Sequence, residues 1–250
     1  MFPLKDDNPA ELTPFLTLAF IAACVGVWVL VEGAGASEPA LTAAVCTYGA
    51  IPIELTGGAT GPGPFCDFGG VRWGALFTSM FLHGSWMHLI GNLWFLWIFG
   101  NNVEDSMGHL RFLVFYLVTG LAAAGAHVVA DPGSVVPVVG ASGAISGIMG
   151  GYLVLYPKAR VLTLVPVVVI LRTFWVPAWV MLGYWFLIQA LSASVTSGAE
   201  GGGGVAFWAH VGGFVAGVAL IKLFQRRDLV AAKRAHVKLA PDQIRHGGWW

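Results

Sequence analysis

The sequence predicts an all-α membrane protein in which six transmembrane helices form a bundle, with a long outer loop after the first helix. The composition is 57% hydrophobic and only 10% charged, whereas soluble domains carry about 25% charged residues. A chain with so few charged groups needs lipid to cover much of its surface. Six apolar runs are long enough to span, at residues 12–32, 84–100, 110–130, 141–157, 174–193 and 205–224.

The chain divides into three parts around these runs. Residues 1–11 are polar and acidic, without the basic start and small-residue cleavage site of a signal peptide. We therefore expect the first run to remain in the mature protein, and the membrane domain to cover residues 12–224. Residues 225–250 form a polar tail of mixed charge, which we expect to be cytoplasmic and poorly ordered.

Lysine and arginine are concentrated on one side of the predicted bundle. The loops 131–140 and 194–204 have none, and the first loop, 33–83, has only Arg72. Because positive residues favour the cytoplasmic side, we predict that both termini are cytoplasmic, in a multi-pass protein of the cell membrane. The positive residues on that side include Arg111, Lys158, Arg160, Arg172, Lys222, Arg226, Arg227, Lys233 and Arg234.

Three connections have distinctive compositions. The first loop ends in an apolar, aromatic stretch suited to the membrane interface, and its Cys46 and Cys66 lie where a disulfide can persist. Whether these two cysteines are bridged stays open from the sequence. Residues 161–171 are apolar but too short to span, which favours an interfacial or re-entrant piece. Residues 194–204 are glycine-rich and predicted to be flexible.

A group of polar side chains falls at one depth in three of the predicted helices. The second, fourth and sixth runs all cross from outside to inside, so residues near their starts lie in the outer third of the membrane. Ionisable residues at such positions are costly and indicate function by default. The group comprises His83, His88 and Asn92 near the start of the second run, Ser142 in the fourth and His210 in the sixth.

Small residues next to Ser142 and His210 favour close helix packing. Ser142 borders one small-xxx-small pattern, and His210 lies three residues before another; such patterns let membrane helices approach closely. Packing of these two helices would carry the histidine to the serine, so the structural and the chemical interpretation support each other. The patterns are Gly143-xxx-Gly147 and Gly213-xxx-Gly217.

The residue types suit acyl transfer. A serine hydroxyl is a weak nucleophile that needs an adjacent base, commonly histidine. Ser142 begins a helix, whose free N–H groups favour the negative charge of a tetrahedral intermediate, and Gly143 leaves the backbone open to substrate. His88 and Asn92 are four residues apart, so both project from one helix face and can donate to an oxyanion.

The sequence predicts a dyad rather than a triad. No Asp or Glu falls within the second, fourth or sixth run, and Asp131, in an outer loop, is the candidate for an orienting acid. Ser142 does not lie in Gly-x-Ser-x-Gly, so the nucleophile elbow of soluble hydrolases is not indicated.

These motifs resemble those of the rhomboid family of intramembrane serine proteases. "GASGAISG" (140–147) resembles its Gly-x-Ser-Gly motif, and "AHVGGFVAG" (209–217) resembles Ala-His-xx-Gly-xxx-Gly. "HGSWMHLIGN" (83–92) is similar to His-xxxx-His-xxx-Asn. The resemblance covers about residues 12–224 and implies a six-transmembrane-helix rhomboid-like bundle, with the first loop lying sideways in the outer leaflet.

The resemblance also implies roles for single residues. Ser142 would be the nucleophile and His210 the general base, while His88 and Asn92 would help the backbone of Ser142 and Gly143 to hold the oxyanion. The fifth helix and the glycine-rich segment after it would gate lateral access of substrate.

Further implied positions lie around this group. Gly140 would shape the turn into the fourth helix, and His83 would belong to the outer cavity. Glu104 and Arg111 would be structural partners in the turn after the second helix. The order Arg72-Trp73, where family members often have Trp-Arg, leaves the anchoring of the first loop open.

The preferred prediction is a serine endopeptidase that cuts transmembrane protein substrates near their outer ends, in contact with lipid and without metal or organic cofactor. The main alternative is a non-catalytic relative that binds membrane clients; retention of Ser142 and His210 favours catalysis. A third interpretation makes His83, His88 and His210 metal ligands of a transporter, but no carboxylate or thiolate in the runs has a fitting spacing. The zero net charge argues against a nucleic-acid partner.

Overall fold

The protein is mostly helical, and the computed structural model describes residues 1–167, 170–196 and 206–235. Long helices occupy the places of the six predicted runs, and shorter ones lie in the first loop and after the last long helix. The helices are α1 (Phe15–Leu30), α2 (Glu38–Tyr48), α3 (Pro52–Leu55), α4 (Ala75–Thr78), α5 (Trp86–Met107), α6 (His109–Ala130), α7 (Ser142–Leu155), α8 (Ala178–Thr196), α9 (Phe207–Phe224) and α10 (Arg227–Arg234). The strands are β1 (Phe2–Asp6), β2 (Arg160–Val167) and β3 (Ile170–Pro177).

Within the described ranges, three helices are long and apolar enough to cross a membrane: α6, α8 as far as Val195, and α9. Two further apolar helices, α1 and α7, have 16 and 14 residues, fewer than the roughly 20 that a crossing usually needs. The chain therefore has the character of an integral membrane protein. The count of six spans and the outer position of the first loop stay predictions.

The helix α7 lies at the centre of the bundle, packed against α5, α6 and α9. Its residues from 143 to 152 are all buried. A β-carbon on Gly213 would overlap the carbonyl oxygen of Gly143, and one on Gly217 would overlap that of Gly147. Only glycine allows two helix backbones to approach so closely, so α7 and α9 run parallel in direct backbone contact.

A carboxylate from α5 holds the start of α1, because Pro14 at the helix start offers no side-chain cap. Glu104 Oε1 accepts from the Leu16 N–H at 2.9 Å, and Glu104 Oε2 accepts from the Thr17 N–H at 2.9 Å and its hydroxyl at 2.7 Å. Free N–H groups at a helix start favour such a negative charge. Glu104 thereby joins α5 to α1.

Glu104 and Arg111, the predicted structural partners, each have contacts of their own. Glu104 Oε1 lies 2.6 Å from His109 Nδ1, and Arg111 Nη1 donates to the carbonyl oxygen of Phe224 at 3.4 Å. The last carbonyls of a helix lack intrahelical donors and favour a cation. Arg111 therefore connects α6 to the end of α9.

Residues 161–167 and 170–171, for which the sequence predicts an interfacial or re-entrant piece, belong to two antiparallel strands, and their position relative to the membrane stays a prediction. Strands β2 and β3 pair antiparallel, and β1 pairs antiparallel with the other edge of β2, so that Thr163 lies between Pro3 and Phe174. Hydropathy does not distinguish a β-branched strand from a short membrane piece. The N-terminal segment supplies the partner strand that pairs with β2. Because β3 extends to Pro177, α8 begins at Ala178 rather than near residue 174.

The first loop is a folded unit held by a disulfide and an ion pair. Cys46 and Cys66 are bridged, with their Cα atoms 5.4 Å apart. Arg72 Nη2 lies 2.6 Å from Glu54 Oε2, and the same nitrogen donates to the Cys46 carbonyl at 2.9 Å. Another guanidinium nitrogen donates to the carbonyl of Thr47. Arg72 thus anchors α3 to the end of α2, which answers the question that the Arg-Trp order left open.

The polar tail is partly ordered, contrary to the prediction for residues 225–250. Lys233 Nζ lies 2.6 Å from Asp105 Oδ2, with both side chains more than nine-tenths buried. Arg234 Nη2 donates to the Leu155 carbonyl at 2.6 Å. Residues 236–250 lie outside the described residues, as do residues 197–204 of the predicted flexible segment.

Candidate active site

Ser142 and His210 meet where α7 and α9 begin. His210 Nε2 lies 2.8 Å from Ser142 Oγ, which is hydrogen-bonding distance. Both side chains are half-buried. The glycine contact between the two helices sets their backbone separation, so the histidine reaches the serine across 68 residues of sequence.

Backbone hydrogen bonds with the first loop fix the turn that leads into α7. Gly140 has φ +125°, a conformation that residues with a β-carbon rarely adopt. Its N–H donates to the Ser79 carbonyl at 2.9 Å. Two residues earlier, Val138 and Ala50 exchange backbone hydrogen bonds of 2.8 and 3.1 Å. The backbone position of Ser142 thus depends on contacts with the loop between α1 and α5.

His88 and Asn92 border the same turn from α5. A β-carbon on Gly140 would lie 2.7 Å from His88 Nε2 and 3.4 Å from Asn92 Nδ2. The Gly84 N–H donates to His88 Nδ1 at 3.5 Å, and an imidazole that accepts through Nδ1 carries its proton on Nε2. Asn92 Nδ2 is buried without a hydrogen-bond partner in the described part of the chain. Both side chains therefore present N–H groups beside the turn.

These residues share one cavity of about 630 Å³. The cavity is lined on one side by the dyad and on another by the α5 residues. The members that concern the chemistry are Ser142, Gly143, His210, His88, Asn92 and Gly140. The structure thus joins, around one space, the polar residues that the sequence placed at one depth, except His83.

His83 has a different position from the predicted one in the outer cavity. It is fully buried and packs edge-on against the ring of His88, with ring centroids 5.2 Å apart. Its backbone N–H donates to the carboxylate of Glu32 at 2.8 and 3.1 Å. His83 therefore packs against the ring of His88. Glu32, which the sequence analysis did not single out, accepts hydrogen bonds from the backbone at His83.

Gln189 is a residue of the site that the sequence analysis missed. Its Oε1 lies 2.6 Å from His210 Nδ1, the ring position for which Asp131 was the candidate partner. Asp131 instead follows the end of α6, where its N–H donates to the His127 carbonyl. The signal in the sequence was a lone amide in the apolar stretch "WFLIQAL", since polar residues within membrane helices tend to have partners.

The third interpretation, a metal site, required three converging histidines. Across residues 1–167, 170–196 and 206–235, no group of three or more His, Cys, Asp or Glu side chains is arranged to hold a metal ion. His88 faces the turn before α7, and His210 is engaged by Ser142 and Gln189.

The part of the chain that contains this site matches a known family. A family model described as "Rhomboid domain" matches residues 71–227, which is more than half of the 250 residues. The chain belongs to the rhomboid family. The rhomboid match begins in the first loop, includes all the cavity residues named above and ends just after α9.

Several curated rhomboid proteins are similar to this chain. The rhomboid protease GluP of Bacillus subtilis is 36% identical over 109 residues, which cover 40% of this chain and 21% of that protein. The putative rhomboid protease YdcA of the same organism is 37% identical over 82 residues, 33% of this chain and 41% of that protein. Rhomboid-like protein 11, chloroplastic, of Arabidopsis thaliana is 41% identical over 76 residues, 30% of this chain and 27% of that protein. The matches thus span between about a fifth and two fifths of these relatives.

The names of the rhomboid relatives differ in activity and compartment. Some are named as proteases and others only as rhomboid-like. Others are named for the chloroplast or the mitochondrion, so family membership does not assign this chain to the cell membrane.

Proposed function

We propose that this rhomboid is an intramembrane serine endopeptidase in which Ser142 and His210 form the catalytic dyad. The observation that carries the proposal is the 2.8 Å contact between Ser142 Oγ and His210 Nε2. A serine hydroxyl becomes an effective nucleophile when a histidine can take its proton. The contact lies in a cavity that also contains candidate oxyanion donors.

The proposed reaction has two halves. In the first, Ser142 Oγ bonds to the carbonyl carbon of the scissile peptide while its proton passes to His210 Nε2. The resulting tetrahedral intermediate collapses by breaking the C–N bond, and His210 gives the proton to the leaving amine. In the second half, water attacks the acyl ester, His210 takes a proton from that water, and the proton returns to Ser142 Oγ as the carboxylic acid product leaves.

Four groups around the turn are suited to stabilise the oxyanion of each intermediate. The N–H groups of Ser142 and Gly143 belong to the start of α7, where the helix has free donors. His88 and Asn92 add side-chain N–H groups from α5. Loss of one such donor typically lowers the rate by about 10²–10³-fold.

The proposed substrates are transmembrane proteins that reach the site from the lipid. In the predicted six-span topology, with both termini cytoplasmic, the beginnings of α5, α7 and α9 lie near the outer surface. The short α7 would start below that surface, and the cavity, with the polar side chains of His88, Asn92, Ser142 and His210 in its lining, would admit the water that hydrolysis consumes. A substrate helix must unwind to expose its peptide bond, so helix-breaking residues near the cut favour cleavage.

Cleavage of a single-span test protein by the purified enzyme in detergent tests this proposal. We expect Ser142→Ala and His210→Ala to lose essentially all activity. Ser194→Ala is the matched control, because this exposed hydroxyl lies in α8 and donates to the Ala190 carbonyl of its own helix; it should cleave at the wild-type rate. Cleavage that persists undiminished in both dyad variants contradicts the proposal. Binding of the test protein without cleavage by the wild type would favour the client-binding alternative.

A further inference from the structure

The imidazole of His210 is contacted on both nitrogens by two different helices. Nε2 faces Ser142 on α7, and Nδ1 lies 2.6 Å from Gln189 Oε1 on α8. The indole of Trp185, one turn before Gln189, has its ring centroid 5.9 Å from that of the imidazole. Phe207, on the histidine's own helix, meets the ring edge-on at 6.3 Å. The ring orientation is therefore set by its surroundings.

We propose that Gln189 is a positioning residue, which holds His210 in the tautomer with the proton on Nδ1 and directs Nε2 at Ser142. This inference rests on the proposed function. Gln189 does not touch the reacting atoms, so it acts through the histidine. Gln189 would orient His210 as the acid of a catalytic triad does. No Asp or Glu lies in the second, fourth or sixth run to serve in that role.

The argument begins with hydrogen-bond polarity. A side-chain amide oxygen accepts hydrogen bonds and cannot donate, so the Nδ1 that faces Gln189 Oε1 must carry the proton. A neutral imidazole has one N–H, and Nε2 is then left with a free lone pair. Only this tautomer can take the proton from Ser142 Oγ; the other would present an N–H to the hydroxyl.

The same contact suits the charged state that proton transfer creates. When His210 becomes imidazolium, both nitrogens donate, and the Gln189 oxygen still accepts from Nδ1. A hydrogen bond from a charged donor is stronger than one between neutral groups. The contact therefore stabilises the imidazolium that proton transfer creates, as well as the neutral tautomer that precedes it.

A neutral amide is also less costly than a charged carboxylate as the acceptor at this place in the fold. A charged carboxylate within a membrane helix is costly, whereas a neutral amide needs only a partner. Gln189 is half-buried, and its neighbours Leu187, Ile188 and Leu191 are exposed on the apolar outer side of α8. Trp185 and Gln189, four residues apart, share the face that meets α9.

Substitutions at Gln189 separate the acceptor oxygen from the bulk of the side chain. Gln189→Leu and Gln189→Met keep much of the volume without the oxygen, and Gln189→Glu keeps an acceptor oxygen in either protonation state. Leu191→Ala, on the exposed side of the same helix, is the control. Two readouts are needed: the rate of covalent labelling of Ser142 by a small fluorophosphonate, which needs no substrate helix, and kcat and KM for the single-span test protein.

We expect Gln189→Leu to lower the labelling rate and kcat together by about ten- to a hundred-fold, a part of the 10²–10⁴ that a positioned general base supplies, with KM little changed. Gln189→Glu should restore most of the rate, and Leu191→Ala should label like the wild type. Gln189→Met repeats the test if the Leu variant does not fold.

Two results would overturn the inference while leaving the dyad intact: wild-type labelling rates in the Leu and Met variants, or a Glu variant as slow as the Leu variant. A failure of the proposed function looks different. In that case the wild-type protein itself would show no labelling that Ser142→Ala removes, and both proposals would fall together.

Discussion

The carbonyl oxygen of Gly143 occupies the space in which a side chain on Gly213 would begin. This contact lies one turn from His210 on α9 and next to Ser142 on α7. Because both residues are glycines, the two backbones touch, and the histidine reaches the serine. Packing and the proposed chemistry therefore depend on the same pair.

Gly213→Ala should separate the helices. The added methyl group would overlap a backbone carbonyl, which cannot move aside as a side chain can, so we expect the free energy of unfolding to fall by about 1–3 kcal/mol. Proteolysis should fall as well, because His210 moves away from Ser142. Unfolding in mixed detergent micelles, followed by circular dichroism, measures the first effect. Gly183→Ala on α8 is the control: nothing lies within 4 Å of its new methyl, and the helix propensity of alanine should leave stability equal or up to about 1 kcal/mol higher.

Gly140→Ala should damage the turn before α7 more than the rest of the fold. Alanine is strained at φ +125°, and its methyl would lie 2.7 Å from His88 Nε2, displacing an oxyanion donor. We expect kcat to fall by about 10²-fold or more, while the protein remains folded. Gly133→Ala, in the same loop with open space around it, should retain activity. Equal activity of the two variants would argue against His88 as a donor.

The ion pair between Arg72 and Glu54 should be needed for a stable first loop. Glu54 has a side chain only 1% exposed, and Arg72→Ala would leave that carboxylate without its cation, at a cost of about 3 kcal/mol. Glu54→Gln combined with Arg72→Ala should lose less than the sum of the single changes, because no unpaired charge is then buried. Thermal unfolding of the four proteins gives this cycle, and strictly additive losses would contradict it.

Stability should depend on pH through Asp6. Burial raises the pKa of Asp6 from 3.8 to about 6, against the lowering effects of the Tyr152 hydroxyl and the Lys233 charge. The folded state therefore binds this proton more tightly than the unfolded state. Its contribution to stability is complete below about pH 4 and is lost as the pH rises through about 6, by roughly 2 kcal/mol for a partly exposed group. Unfolding measured from pH 4 to 7 should show this fall in the wild type and a smaller one in Asp6→Asn; parallel curves would refute it.

The dyad residues could be predicted from the sequence because each lies beside a recognisable local pattern. Ser142 and His210 border small-xxx-small patterns, and His88 and Asn92 are spaced by one helical turn. The sequence signal at Gln189 was weaker, because a single amide in an apolar run does not indicate which residue it contacts. The sheet was not predicted, because the partner of residues 161–164 lies at the other end of the chain, in residues 2–6.

Hydropathy and residue spacing, which are local properties, determined by themselves that this chain is a helical membrane protein, and they marked Ser142 and His210 as the residues to examine. Only the tertiary structure decided that Gln189 faces His210, that His83 lies behind His88, that Cys46 bonds to Cys66 and that the N-terminus completes a sheet. Each of these is a contact between distant segments. Such contacts depend on how the backbones pack, and at α7 and α9 that packing has no side chain on Gly213 to hold the helices apart.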